Sequence, residues 1–279
     1  MLHAVDCHFH VIGAHEAYPM AADRSYTPEP AALGQWRAVM HPMGVTRGVL
    51  VQPSVYGVDN RLLLDVVREG GGQLMGIAAV PSEVSEEELD HLASVGIRGV
   101  RLAHFAGCGV APAKGFVGIG ALPALAPRLR ARGMHLNLLT DSRSLPDIAG
   151  ILRSSRLEVV LDHMGRVPAE LGANHAGADL LCAWLSEGWF WIKLSGLAVM
   201  SSLSPGYGDV RPLHDRLLSV NPERLLWGSD WPHTRNRAGK PSTPDLLASF
   251  LEWTSSRSVQ EQILWRNPNQ LYRFDTPRA

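Results

Sequence analysis

The sequence predicts a (β/α)8 barrel, a ring of eight parallel strands each followed by a helix. Three observations predict it. Eight short apolar runs recur along the chain, separated by helix-like segments. The runs are apolar on both sides of the alternation, as strands of a parallel sheet covered on both faces are. The 279 residues suit one such barrel, and no GxGxxG follows the first run, which sets aside a doubly wound open sheet.

The expected strands are AVDCHF from Ala4, RGVLVQP from Arg47, LMGIAAV from Leu74, IRGVRLA from Ile97, MHLNLL from Met134, LEVVLDH from Leu157, FWIKLS from Phe190 and RLLWGSD from Arg224. Between them, NRLLLDVVREG from Asn60 spaces Leu and Val at helical intervals. SEEELDHLASVG from Ser85 opens on a capping Ser with acidic residues and closes on Gly. LPALAPRLRARG from Leu122 and TPDLLASFLEW from Thr243 are further helices. We expect residues 1–279 to form one domain, with a C-terminal helical segment from about residue 258. Pro/Gly/Ser-rich pieces at 107–120, 201–209 and 234–244 follow strands 4, 7 and 8, where a barrel carries its active-face loops.

Composition excludes several classes of partner. Lys and Arg total 26 against 27 Asp and Glu, and no basic tract appears, so nucleic acid is not expected. No apolar run approaches a membrane span, and the N-terminus has no secretory pattern. Cys7, Cys108 and Cys182 lie far apart without a CxxC, as reduced thiols of a cytoplasmic protein do. Self-association into a homo-oligomer is left open.

Catalytic side chains of such barrels gather at the C-terminal ends of the strands. The first strand runs into AVDCHFHVIG, with His8 and His10 one residue apart. In a regular strand alternate side chains share a face, so His8, His10 and Asp6 are expected on one side and Cys7 and Phe9 on the other. A strand-end His pair is hard to explain by packing. It shares a metal or a substrate. Strand 2 runs into Ser54 and Tyr56, strand 4 carries Arg101, and strand 6 ends on Asp162, His163 and Arg166. Strand 7 ends on Lys193 and Ser195, and strand 8 on Ser229, Asp230 and His233. Each has a bland alternative: a loop anchor for Tyr56, a turn hydroxyl for Ser54, an ion pair for Arg101 or Lys193, a loop-fixing role for His233. Asp230 lies between two tryptophans at a strand end and needs a partner there.

DCHFHV, VLVQPSVYGVDN, GIRGVRL, VVLDHMGR, WIKLSG and RLLWGSDWPHT, taken in order over nearly the whole chain, resemble the amidohydrolase 2 group. Within it they are similar to the 2-pyrone-4,6-dicarboxylate hydrolase-like lactonases. The resemblance implies a distorted (β/α)8 barrel. It implies Asp230 as general base on the attacking water, His8 and His10 as the strand-1 pair that binds a divalent metal in most of the superfamily, and His163 as the strand-6 histidine. It implies Tyr56 and Arg101 as contacts to the substrate carbonyl and carboxylates. Metal-using relatives add a strand-5 histidine. Here His135 lies at the wrong end of that strand, and the matching position is Leu138 or Leu139. Where such lactonases carry an Arg soon after KxSG, this chain reads LAVMSS, so one carboxylate clamp is missing.

Hydrolysis of a lactone needs an activated water, donors for the oxyanion and a grip on the substrate. Asp230 serves the first, and His8, His10 and His163 with Tyr56 the second. Arg101, with Ser54 and His233, serves the third. The expected function is a metal-independent hydrolase of a small carboxylated lactone in aromatic-compound breakdown, with no required cofactor. The alternative is a metal-dependent hydrolase or decarboxylase in which His8, His10 and Asp230 hold one zinc or manganese ion. A non-catalytic small-molecule binder is the third reading.

Overall fold

The computed structural model describes residues 3–105, 115–203, 206–234 and 240–274. Its eight strands are β1 Ala4–Phe9, β2 Val45–Val51, β3 Leu74–Ala78, β4 Ile97–His104, β5 His135–Thr140, β6 Val159–Leu161, β7 Phe190–Leu194 and β8 Leu225–Trp227. Each pairs in parallel with the next in sequence. The ring closes where Phe9 bridges Trp231 and the His10 N–H donates to the Trp231 carbonyl at 2.8 Å. This is the barrel that the alternation predicts. The helix Glu86–Val95 is capped as its sequence implies: the Ser85 hydroxyl accepts the Glu88 N–H at 3.1 Å, and Gly96 turns left-handed at its end.

One expectation about β1 needs correction. Asp6 does not share a face with His8 and His10, and Cys7 and Phe9 do not share the opposite one. Asp6 pairs with Gly48 and Phe9 with Leu50, so β1 carries one residue more than β2 over this interval. The extra residue is a bulge, and it breaks the period of two. Asp6 and Phe9 turn outward onto Trp36 of the helix Leu33–Met40: the indole N–H donates to Asp6 Oδ2 at 3.0 Å, and the Phe9 ring stacks on it at 4.4 Å. Cys7 turns inward with Val5, while His8 and His10 turn into the mouth. Asp6 also accepts the N–H and hydroxyl of Ser229 at 2.8 and 2.6 Å, so it ties the end of β8 to β1.

The inner apolar cluster takes Val5, Cys7, Val49, Val51, Met75 and Ile77 from β1, β2 and β3, and Val160, Trp191 and Leu226 from β6, β7 and β8. β4, β5 and β7 also place Arg101, Asn137 and Lys193 inside, with Asp162 just past β6, and all four are buried. The helical C-terminal segment runs over Arg257–Glu261, Gln262–Arg266 and Asn267–Tyr272. It seats Leu271 and Tyr272 against the inner cluster. Cys7 and Cys182 are buried free thiols. Cys108 and parts of all three loops expected at the active face (106–114, 204–205, 235–239) lie outside the described residues.

Candidate active site

The end of β1 brings two imidazoles together. Nε2 of His8 and Nε2 of His10 are 3.3 Å apart. Each ring is held from behind. Nδ1 of His10 donates to the Val51 carbonyl at 2.7 Å. Nδ1 of His8 lies 3.1 Å from Asp162 Oδ1 and 3.2 Å from Lys193 Nζ. Asp230 closes the group: its Oδ1 is 3.6 Å from both Nε2 atoms and 3.9 Å from Nε2 of His163.

Asp230 and His163 stand on unusual backbone. His163, Met164, Gly165 and Arg166 take positive φ in succession (56, 46, 63 and 48°), and Asp230 and His233 do so at 62 and 60°. Non-glycine residues rarely adopt this region, and where they do the surroundings hold them there. The left-handed turn aims both His163 and Arg166 into one pocket. Gly196, itself at φ 72°, leaves the room: a Cβ there would lie 2.7 Å from the His163 side chain.

Under this ring lies a buried hub. Asp162 accepts Lys193 at 3.0 Å on Oδ1, and Arg101 and Asn137 at 3.0 Å each on Oδ2. Burial works to raise the Asp162 carboxyl, but Lys193, His8 and Arg101 outweigh it and hold it well below the usual range. Burial likewise opposes charge on His8, against the pull of Asp162, and keeps that imidazole well below its ordinary value. His163 is lowered by burial in the same way, and His233 falls to about 4. Burial would raise Asp230, yet His163, His10 and His8 around it hold its carboxyl far down. The result is an ionised carboxylate facing three imidazoles. Its side chain is 21% exposed, so it meets the pocket.

The structure brings His10, His163, Asp230 and His233 to that pocket, together with Ser54 and Arg101. His8 lies directly behind them, fully buried. Tyr56 is not brought in: its hydroxyl accepts the Gly13 N–H at 3.1 Å beneath the loop after β1. The phenol that lines the pocket is Tyr26, whose oxygen receives the Thr234 hydroxyl at 3.3 Å. Its signal in the sequence was the stretch between His10 and Leu33, long enough to be a working loop after a strand. Arg101 is not an open fork. Its terminal nitrogens go to Asp162 and to the Gln52 carbonyl, and only Nε, buried, has no partner among the described residues. Leu139 lines the pocket at the end of β5, where metal-using relatives place a histidine.

His8, His10 and Asp230 could hold one metal ion. Donors about 2.0–2.2 Å from a tetrahedral zinc stand about 3.3–3.6 Å from one another, and the separations here are 3.3, 3.6 and 3.6 Å. The donor set therefore fits the group geometrically.

A family model described as amidohydrolase matches residues 5–274. A 2-pyrone-4,6-dicarboxylate hydrolase of Comamonas testosteroni is 32% identical over 279 aligned positions, covering 96% of this chain and 90% of that protein. A 4-sulfomuconolactone hydrolase of Rhizobium radiobacter is 32% identical, covering 96% and 89%. A solved structure from Pseudomonas putida, itself named only provisionally as a 2-pyrone-4,6-dicarboxylic acid hydrolase, superposes with a TM-score of 0.84 at 28% identity, over 99% of this chain and 100% of that one.

Proposed function

From the fact that this chain belongs to the amidohydrolase family, we propose that it hydrolyses a small carboxylated lactone, with Asp230 as the general base and without a metal. The observation that carries the reading is the ionised Asp230 facing His10 and His163 in one pocket with Arg101. His10 donates its Nδ1–H to the Val51 carbonyl, so in the neutral ring Nε2 is an acceptor. A water between His10 Nε2 and Asp230 Oδ1 has both protons accepted and its lone pair free to attack. Asp230 takes one proton as the bond to the carbonyl carbon forms. This revises the expectation that His10 donates to the oxyanion. That role falls to His163: if the Ser195 hydroxyl, 3.0 Å from Nδ1, donates to it, Nε2–H faces the pocket. The free Nε–H of Arg101, with Arg166 and Ser54 on the same lining, holds the substrate carboxylate. A cytoplasmic setting, with reduced Cys7 and Cys182, belongs to the same reading. Among the described residues no helix is long and apolar enough to cross a membrane.

The donor spacing favours a second reading, in which His8, His10 and Asp230 hold zinc or manganese. When bound, such an ion lowers the pKa of its water and polarises the carbonyl.

The deciding assay offers 2-pyrone-4,6-dicarboxylate, 4-sulfomuconolactone and a monocarboxylated lactone to the purified protein, with and without chelator, alongside its metal content. Ring opening that survives chelation supports the proposal. Loss of activity to chelator, with near-stoichiometric metal, transfers it to the second reading. Release of carbon dioxide in place of ring opening makes the protein a decarboxylase, and no turnover of any lactone overturns the reading.

A further inference from the structure

The strands follow one another in order around the ring, so β4 stands opposite β8 and β3 opposite β7. The pocket lining differs between these two sides. From β2 and β4 come donors: the Ser54 hydroxyl and Arg101. The terminal nitrogens of Arg101 serve the Gln52 carbonyl and Asp162, which leaves its Nε–H for a ligand. From β7 and β8 comes an apolar wall. Leu197, Ala198 and Val199 belong to the helix Leu197–Met200, and Leu246 to the helix Thr243–Trp253. Val199 is 43% exposed, apolar surface that a ligand can take out of water. The polar side chains beside this wall are already bonded: His233 Nε2 meets the Thr243 hydroxyl at 3.0 Å, and the Thr234 hydroxyl donates to Tyr26 at 3.3 Å.

The wall is apolar in depth as well. Behind it a second, small cavity is lined by Trp227, Phe250 and Trp253, and it shares Leu197 and Leu246 with the active pocket. Its two polar side chains are engaged elsewhere, Ser195 with His163 and His214 with Asp215 and Thr254. A carboxylate pressed against this wall loses its water and finds no donor there among the described residues, which is costly. An alkyl group in the same place gains from burial.

We propose that the substrate carries one carboxylate, held on the β4 side, and a short apolar substituent across the ring from it, and that Leu197, Val199 and Leu246 select this compound over a dicarboxylate. The inference rests on the reading that the pocket binds a small carboxylated lactone, and it narrows the class of that lactone. It holds with or without a metal ion, since none of the selecting residues is a candidate ligand to one.

The test is calorimetric titration of the full chain with benzoate, 4-ethylbenzoate and terephthalate. Each has a flat six-membered ring and a carboxylate but no ester to open, so binding is read without turnover. 4-Ethylbenzoate should bind about tenfold more tightly than benzoate, the scale of two buried carbons. Terephthalate should bind at least about tenfold more weakly than benzoate, because its second carboxylate meets the wall. Val199→Arg, at an exposed position, should narrow the gap between 4-ethylbenzoate and terephthalate by at least about tenfold. Terephthalate binding the wild type as tightly as 4-ethylbenzoate overturns the proposal. So does an ethyl group that adds no affinity, a gap unchanged in Val199→Arg, or no binding of any probe at millimolar concentration. The two readings fail separately. If the probes keep the expected order but no lactone is opened, the hydrolase reading falls and the ligand class stands. If a dicarboxylated lactone is opened with a higher kcat/KM than its alkyl-substituted monocarboxylated counterpart, the ligand class falls and the hydrolase reading stands.

Discussion

Oδ1 of Asp230 stands 3.6 Å from Nε2 of His10, close enough for one water to bridge them. The surrounding imidazoles keep the carboxylate ionised, so it is ready to accept a proton whenever water is bound. Asp230→Asn keeps the shape and removes the base. We expect kcat to fall at least about a hundredfold with little change in KM. Steady-state kinetics on the lactone opened by the wild-type protein checks this, and near-wild-type turnover would sink the mechanism.

Tyr26 and Tyr56 separate pocket from scaffold. Tyr26 lines the pocket, whereas the hydroxyl of Tyr56 satisfies the Gly13 N–H. Tyr26→Phe should lower kcat/KM about tenfold, the worth of one hydrogen bond to a bound polar group, with Tm nearly unchanged. Tyr56→Phe should do the reverse: kcat/KM within about twofold, and stability lower by about 1 kcal/mol because the partly buried Gly13 N–H loses its acceptor. Kinetics and denaturant melts on the two variants give the comparison, and an active-site defect confined to Tyr56→Phe would exchange their roles.

The barrel was legible because parallel strands, covered on both faces, announce themselves as apolar runs, and all eight runs became strands. The strand-end histidines and Asp230 were legible because charged groups in such places stand out. The face assignment in β1 was not. A one-residue bulge between Asp6 and Phe9 leaves no mark in composition, yet it turns Asp6 outward and His8 inward. Nor did the sequence separate Tyr26 from Tyr56, since both lie on loops and only the folded path shows which one turns back. Arg101 was visible as a cation at a strand end. That Asp162 and Gln52 occupy its terminal nitrogens depends on strands far apart in the chain. The buried hub was the hardest to foresee: Asn137 and Lys193 are isolated polar residues in apolar runs, and only closure of the barrel sets them beside Asp162.

Gly196 and Gly172 test whether turnover depends on the room a glycine leaves beside His163. Their φ angles are nearly equal, at 72 and 70°. A Cβ on Gly196 would lie 2.7–2.8 Å from His163, while one on Gly172 meets nothing within 4 Å. Gly196→Ala should lose about 1 kcal/mol of stability from its left-handed backbone, and Gly172→Ala, with ψ at 175°, should lose more, about 1–3 kcal/mol. Only Gly196→Ala should also displace His163 from Ser195, and kcat should fall at least about tenfold. If Gly172→Ala loses turnover equally, the effect is global softening and the steric account of His163 fails.

His135 carries the pH prediction. It sits at the start of β5 with its ring edge-on to Tyr272 at 5.5 Å, and its Nε2 is buried without a partner among the described residues. Burial, assisted by Lys193 and Arg273, lowers its pKa to about 3. In the unfolded chain the same imidazole titrates near about 6.5. Between those values the unfolded state binds the proton and the folded state does not. The stability that comes from keeping His135 neutral is therefore fully present above about pH 6.5 and is lost as pH falls toward 3. His135→Leu removes the titrating group and the orphaned nitrogen together. Between pH 6 and 4 the variant's stability should fall less steeply, by up to about 1.4 kcal/mol per pH unit, the slope for one proton. At pH 7.5 it should be at least as stable as the wild type, since no buried polar atom is left unpaired there. Because His135 does not line the pocket, kcat should not change. Urea melts at half-unit pH steps measure the slope, and parallel slopes for the two proteins would mean that His135 titrates in the folded state as it does in the unfolded one.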